Sequence, residues 1–309
     1  MTMRGVVFVV ACLAVRASEP NSEEVIKRVT ERVVDSAARI PSYTCVENIA
    51  REYYQPTVAT LPRSCPVLMK ERQHPTPDLI LHLAMTDRLR LDVTMTGRGE
   101  IFSWVGARRF DDRSIFQFVE GPMATGAFGA LLAVIFKQDV HKFTFERTLE
   151  VDGRRLMEYS FHVASENSSY KMEIFGSKAQ AGYNGTVLAD PVTGDLVRLT
   201  ADATEFPAAS TACDISANLA LQRVKIGDSD FLLPAQARQR YVMADGQETQ
   251  MTTTFANCRE YVGESSVSFT SPEPVADGLP PRAPSAPVRI PAEQRFMVEL
   301  TTPVVSATA

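Results

Sequence analysis

The sequence predicts an α+β protein, with a large antiparallel sheet bent around a buried apolar helix and an amphipathic helix ahead of it. Three observations carry this expectation. Long runs alternate apolar and polar residues, short turn signals separate those runs, and one thirteen-residue segment is almost wholly apolar at helical spacing.

The N-terminal helix has a clear start and stop. Asn21-Ser-Glu-Glu24 has the form of a capping box, with Pro20 just outside it. Val25, Ile26, Val29, Val33 and Ala37 follow at helical spacing, while Lys27, Arg28, Glu31, Arg32 and Asp35 take the opposite face. Pro41 ends the helix, because the residue before a proline is pushed out of the helical region.

From residue 42 the period changes to two. Leu89, Leu91, Val93 and Met95 alternate with Arg90, Asp92, Thr94 and Thr96. Met157, Tyr159, Phe161 and Val163 alternate with Glu158, Ser160 and His162. Each run reads as a strand with one buried and one wet face. Asp152-Gly153, Asn184-Gly185, Asp190-Pro-Val-Thr-Gly194 and Asp245-Gly246 supply tight turns. Connections this short join antiparallel neighbours, which predicts a meander of about eight to eleven strands.

Residues 124–136 break the strand pattern. Phe128, Leu131, Leu132, Ile135 and Phe136 recur at helical spacing with almost no polar residue between them, so the segment is expected to be a buried helix. It is too short to span a bilayer.

The domain is expected over residues 18–270. Seven prolines between residues 272 and 291 mark a semi-rigid linker over 271–292, and residues 293–309 hold one short strand pattern. A lone strand is unstable in water, so this end reads as a strand docking on the sheet or as the start of a shortened module.

Residues 1–17 read as a secretory signal. Arg4 supplies the positive end, residues 5–15 are apolar, and Ala14-Val-Arg-Ala17 offers a cleavage site. Val9-Val-Ala-Cys12 loosely resembles a lipobox, which would lipidate Cys12; the apolar run continues past Cys12, which fits cleavage near Ala17 better. Export leaves four cysteines, Cys45, Cys65, Cys213 and Cys258, in an oxidising compartment that favours disulfides. Four cysteines allow three pairings; Cys45–Cys65 with Cys213–Cys258 closes the shortest loops and is the expected set.

Composition narrows the function classes. Losing Arg4 and Arg16 with the signal moves the formal net charge from −5 to −7, and no basic run remains, which disfavours nucleic acid. His74, His82, His141 and His162 lack the spacing of a helical zinc site, so no metal or cofactor is expected. Ser168-Ser-Tyr-Lys171, Ser216-Ala-Asn218 and Lys225-Ile-Gly227 imitate a penicillin-binding set. Tyr170, Met172 and Ile174 alternate as a strand, however, which points Ser168 and Lys171 to opposite faces. Asp228 and Asp230 in a Gly-Asp-Ser-Asp turn are read as a strand end. No enzyme is expected.

The order of signal, amphipathic helix, antiparallel meander and interposed apolar helix resembles the LolA/LolB-like lipoprotein-carrier fold. That fold is a half-barrel with helices against its concave face, shared by the lipoprotein-sensing domain of the RseB type. Tyr43-Thr-Cys45, Gly126-Ala-Phe128 and Phe255-Ala-Asn-Cys-Arg-Glu-Tyr261 look like patterns recurring in exported bacterial proteins. The resemblance covers about residues 22–269, and none of the carriers' functional residues matches a position here. It implies a periplasmic, non-catalytic protein holding a lipid or an acylated protein in a greasy cavity, with residues 124–136 as its lid. Phe128, Leu131, Leu132, Ile135, Phe136, Leu89, Leu91 and Val93 would line that cavity. The alternative is an envelope scaffold that meets a partner protein through its Pro-rich tail.

Overall fold

A computed structural model of the chain describes residues 21–260 apart from 40–42, 59–61, 97–98, 112, 141, 175–176, 207–209 and 227–228. The expected signal with Cys12, the linker and the C-terminal strand pattern all lie outside the described residues.

The helix α1, Ser22–Arg39, begins as its capping residues require: the backbone N–H of Glu23 donates to Asn21 Oδ1 at 3.0 Å. Val25, Val29, Val33 and Ala37 form the buried stripe, one residue per turn. The strands follow as β1 (Tyr43–Pro56), β2 (Leu81–Thr96) and β3 (Gly99–Trp104), then β4 (Thr144–Val151) and β5 (Arg154–Val163). A small hairpin, β6 (Lys171–Ile174) and β7 (Ser177–Gln180), stands apart from the main sheet. The run closes with β8 (Gly182–Ala189), β9 (Leu196–Glu205), β10 (Ala212–Ile226), β11 (Ser229–Met243) and β12 (Glu248–Glu260).

Ten of these strands form one open antiparallel sheet in the order β3-β2-β1-β12-β11-β10-β9-β8-β5-β4. The α+β class expected from the sequence is therefore the class observed. Most neighbours are consecutive, as a meander requires. Two pairings are exceptions: β5 with β8, across the β6–β7 hairpin, and β1 with β12, which brings the first and last described strands side by side in the sheet interior.

One face of the sheet carries α1 and the apolar segment 124–136. Val25, Val29 and Val33 of α1 pack with Leu131, Leu132, Ile135 and Phe136 onto Tyr159, Phe161, Val187, Leu199 and Leu219. A second cluster gathers Cys45, Ile49, Leu91, Val93, Phe102, Phe128 and Met251 over the other half of the sheet. Packing in the first cluster is close: a Cβ built on Gly185 would stand 2.2 Å from the Phe161 ring, so only glycine fits beneath that ring.

Four expectations are corrected. The apolar segment 124–136 is not one helix: α3 spans only Ala130–Val134 and widens into a π turn over Ile135–Asp139. Gly126, at φ +98°, sits in left-handed backbone that a continuous helix does not contain, so the chain turns before it coils. A second helix, α2 (Cys65–Gln73), arises where no apolar period announces it; it buries chiefly Leu68, with Pro66 in its first turn. Asp92 and Thr94 on β2 are buried rather than wet, and Thr94 Oγ1 donates to the Tyr43 carbonyl at 2.8 Å.

The last correction concerns the disulfides, which are Cys45–Cys258 and Cys65–Cys213. Shortest loops do not decide them; topology does. The β1–β12 pairing sets Cys45 beside Cys258 at a bulge, and α2 lies against the start of β10, next to Cys213.

Candidate functional site

Three adjacent strands end together and leave a patch of side chains on the helix-bearing face. Ala212 pairs with Met243, Ile215 with Tyr241, and Tyr241 with Thr249. These five residues form the floor of a cleft of about 520 Å³. One wall is the irregular segment 121–126 with Ala130, Leu131 and Val134 of α3; the opposite wall is Ser169 and Tyr170. Phe116, still 40% exposed, stands in its lining. That volume is typical of a small-molecule site, and among the described residues no charged side chain lines it.

Irregular backbone so near a core needs partners for its polar groups, and buried charges supply them. Glu100 on β3 accepts hydrogen bonds from the backbone N–H of Gly126 at 2.6 Å, Gly129 at 3.0 Å and Ala130 at 3.3 Å. Burial raises the Glu100 carboxyl above its ordinary range, while those N–H groups pull it back. Arg51 on β1 donates from Nη1 to the carbonyls of Glu120 at 2.8 Å and Pro122 at 3.0 Å. Asp139, at the end of the π turn, accepts from Ser169 N–H and the Tyr183 hydroxyl, each at 2.8 Å. Both walls are thus tied to the scaffold.

The far end of the floor is braced by α2. Its Cys65 is bonded to Cys213, one residue from Ala212. Arg72 pairs with Glu248 and donates from Nη2 to the Gly246 carbonyl at 2.8 Å.

Of the residues expected to line a cavity, Leu131 is on the cleft wall. Leu132, Ile135 and Phe136 are packed into the core beneath α1. Phe128, Leu91 and Val93 are buried in the second cluster, with Leu89 partly buried against it. Sequence reasoning missed the floor and the Tyr170 wall. The available signal was the Tyr241/Met243 pair at strand spacing, masked because Val242 between them is buried too.

The penicillin-binding imitation does not assemble. Ser168 Oγ accepts the Tyr170 N–H at 3.0 Å within its own turn, and Ser216 lies on β10, opposite Arg240 of β11. Gly227 and Asp228 lie outside the described residues. Asp230 is paired with Arg223, and exposed His162 bonds the Asn184 amide oxygen at 2.6 Å. Among the described residues no group of three or more His, Cys, Asp or Glu converges as a metal site, and no helix is long and apolar enough to cross a membrane.

No family model and no curated protein matches the chain. Solved structures similar to it include a candidate outer membrane lipoprotein-sorting protein domain from Vibrio parahaemolyticus. It is 11% identical, with 79% of this chain and 95% of that one covered and a TM-score of 0.36. A LolA superfamily protein from Nitrosomonas europaea is 10% identical over 76% of this chain and 94% of its own, with a TM-score of 0.29. A DUF1329 family protein from Desulfovibrio piger is 10% identical over 78% and 95%, with a TM-score of 0.35.

Proposed function

We propose that the chain is a non-catalytic periplasmic binding protein that holds the acyl chain of a lipid or lipoprotein in the cleft beside α3. The observation that carries this reading is a cleft of about 520 Å³ lined by Leu131, Val134, Ile215 and Met243, with no charged side chain among its described residues. Each methylene moved from water into such a cleft is worth about 0.8 kcal/mol, so a long chain is held by burial alone. Among the described residues the lining carries no carboxylate, imidazole or amine to move a proton, which favours holding over chemistry. Two disulfides suit a protein that folds in an oxidising compartment. The packed core positions of Leu132, Ile135 and Phe136 favour a fixed plug with the ligand at its flank over a lid that swings away.

The test is uptake of the neutral apolar dye N-phenyl-1-naphthylamine by the full chain. Saturable fluorescence enhancement is expected in the wild type, with at least a tenfold loss in Ala130→Trp and in Met243→Trp, which fill the cleft from two sides. Undiminished uptake in both variants, folded by circular dichroism, would remove the cleft from the reading. Native mass spectrometry before and after organic extraction then identifies any lipid that co-purifies.

A further inference from the structure

The tyrosines around the cleft and its neighbouring core divide into two kinds. Tyr159 donates its hydroxyl to the Ser22 carbonyl at 2.8 Å, and Tyr183 donates to Asp139 at 2.8 Å. Tyr170 and Tyr241 are different. Their rings pack on the Ile215 cluster, both line the cleft, and neither hydroxyl has a hydrogen-bond partner among the described residues. Both side chains are partly buried and neither hydroxyl is among the enclosed unpaired atoms, so each O–H opens into the cleft as a free donor on an otherwise apolar wall. Two such phenols on one cleft, close enough to act electrostatically on each other, point to a partner that arrives with the ligand.

The charge of that partner follows from the same wall. Burial holds both phenols in the protonated, donor form, Tyr241 the more strongly. Among the described residues no lysine, arginine or histidine lines the cleft to neutralise an anion. A carboxylate entering would lose its hydration and gain only two neutral donors, whereas an ester or amide carbonyl loses little.

Resting on the acyl-holding reading above, we infer that Tyr170 and Tyr241 donate hydrogen bonds to the carbonyl oxygen of an uncharged acyl ester or amide. The cleft thereby selects acylated molecules over free fatty-acid anions.

The experiment displaces N-phenyl-1-naphthylamine from the full chain at pH 8 with four sixteen-carbon probes: methyl palmitate, N-methylpalmitamide, palmitate and hexadecane. Tyr170→Phe and Tyr241→Phe, which keep the rings and remove only the hydroxyls, are run beside the wild type. In the wild type the better carbonyl probe is expected to bind about tenfold more tightly than hexadecane and than palmitate. Each phenylalanine variant is expected to weaken that probe about threefold to tenfold, with hexadecane unchanged. The ester stands for a glycerolipid acyl group and the amide for the N-acyl group of a lipoprotein, so the tighter of the two assigns the source. Hexadecane binding as well as the carbonyl probes, with no effect of either variant, would mean that water satisfies the phenols; the inference then falls and the acyl cleft stands. Palmitate binding as tightly as the carbonyl probes would overturn the selection against anions. Failure of every probe to displace the dye would bring down the acyl-holding reading itself.

Discussion

Arg51 and Asp87 face each other across the β1–β2 pair, and Arg51 Nε donates to Asp87 Oδ1 at 2.7 Å while Nη2 donates to Oδ2. The same guanidinium spends its remaining nitrogen on the carbonyls of Glu120 and Pro122, at the cleft wall. One buried side chain therefore joins the sheet to the irregular segment that shapes the site. Arg51→Ala is expected to lower stability by up to about 3 kcal/mol, below the full cost of breaking a buried pair because Asp87 is partly exposed. Urea denaturation measures that loss. Hydrogen exchange should show faster opening of residues 120–126 than of β10 or β11, and uniform loosening would deny Arg51 its role at the wall.

Glu47 gives a pH signature. It is 3% exposed, and its Oε2 has no hydrogen-bond partner among the described residues. Burial first, and the Glu100 carboxylate second, push its carboxyl well above the ordinary value. A raised carboxyl binds its proton more tightly folded than unfolded, so stability declines as pH rises from the unfolded value of 4.5 toward the folded one. Glu47→Gln is expected to raise the melting temperature at neutral pH, by roughly 2–4 °C for each kcal/mol recovered. The gain should vanish below about pH 4, where the unfolded carboxyl is protonated as well. Calorimetry across that range decides, and a difference independent of pH would contradict the assignment.

The disulfide pairs enclose long stretches, with separations of 213 residues for Cys45–Cys258 and 148 for Cys65–Cys213. Restricting the unfolded chain over such lengths is worth about 2–5 kcal/mol per bridge. Replacing Cys65 and Cys213 with serine should cost that amount and also free α2 from the floor of the cleft. Non-reducing peptide mapping should recover a Cys65 peptide joined to a Cys213 peptide. Recovery of Cys45 joined to Cys65 would refute the β1–β12 register at its bulge.

Gly126 separates strain from crowding. At φ +98° its built Cβ would stand 3.3 Å from the Leu131 nitrogen, whereas Gly153, at φ +73°, has open space around it. Gly126→Ala is expected to cost about 2–3 kcal/mol and Gly153→Ala about 1 kcal/mol. Equal losses in thermal melts would mean that the cleft wall adjusts without cost.

The parts legible in the sequence are those governed by short-range periodicity. The α1 stripe of Val25, Val29 and Val33 and the alternation of Met157 to Val163 appear in the structure as the pattern foretold. Residues 124–136 were legible as buried but not in shape, because apolar spacing cannot see the turn at Gly126 or the N–H groups gathered by Glu100. The cleft floor was illegible for a different reason. It joins Ile215, Tyr241 and Thr249 through strand pairing, and register between distant strands leaves no local mark. The same holds for Arg51, whose bonds to Glu120 and Pro122 span about seventy residues of chain.

Placing β12 beside β1 has a consequence for how the chain reaches this state. The β1–β3 half of the sheet meets its partner strand only when residues 248–260 have emerged from whatever delivers the chain. Closing so distant a contact is slow, and until it closes both β1 and β11 present bare hydrogen-bonding edges. Vectorial emergence therefore yields two incomplete halves, and β12 acts as the keystone that joins them.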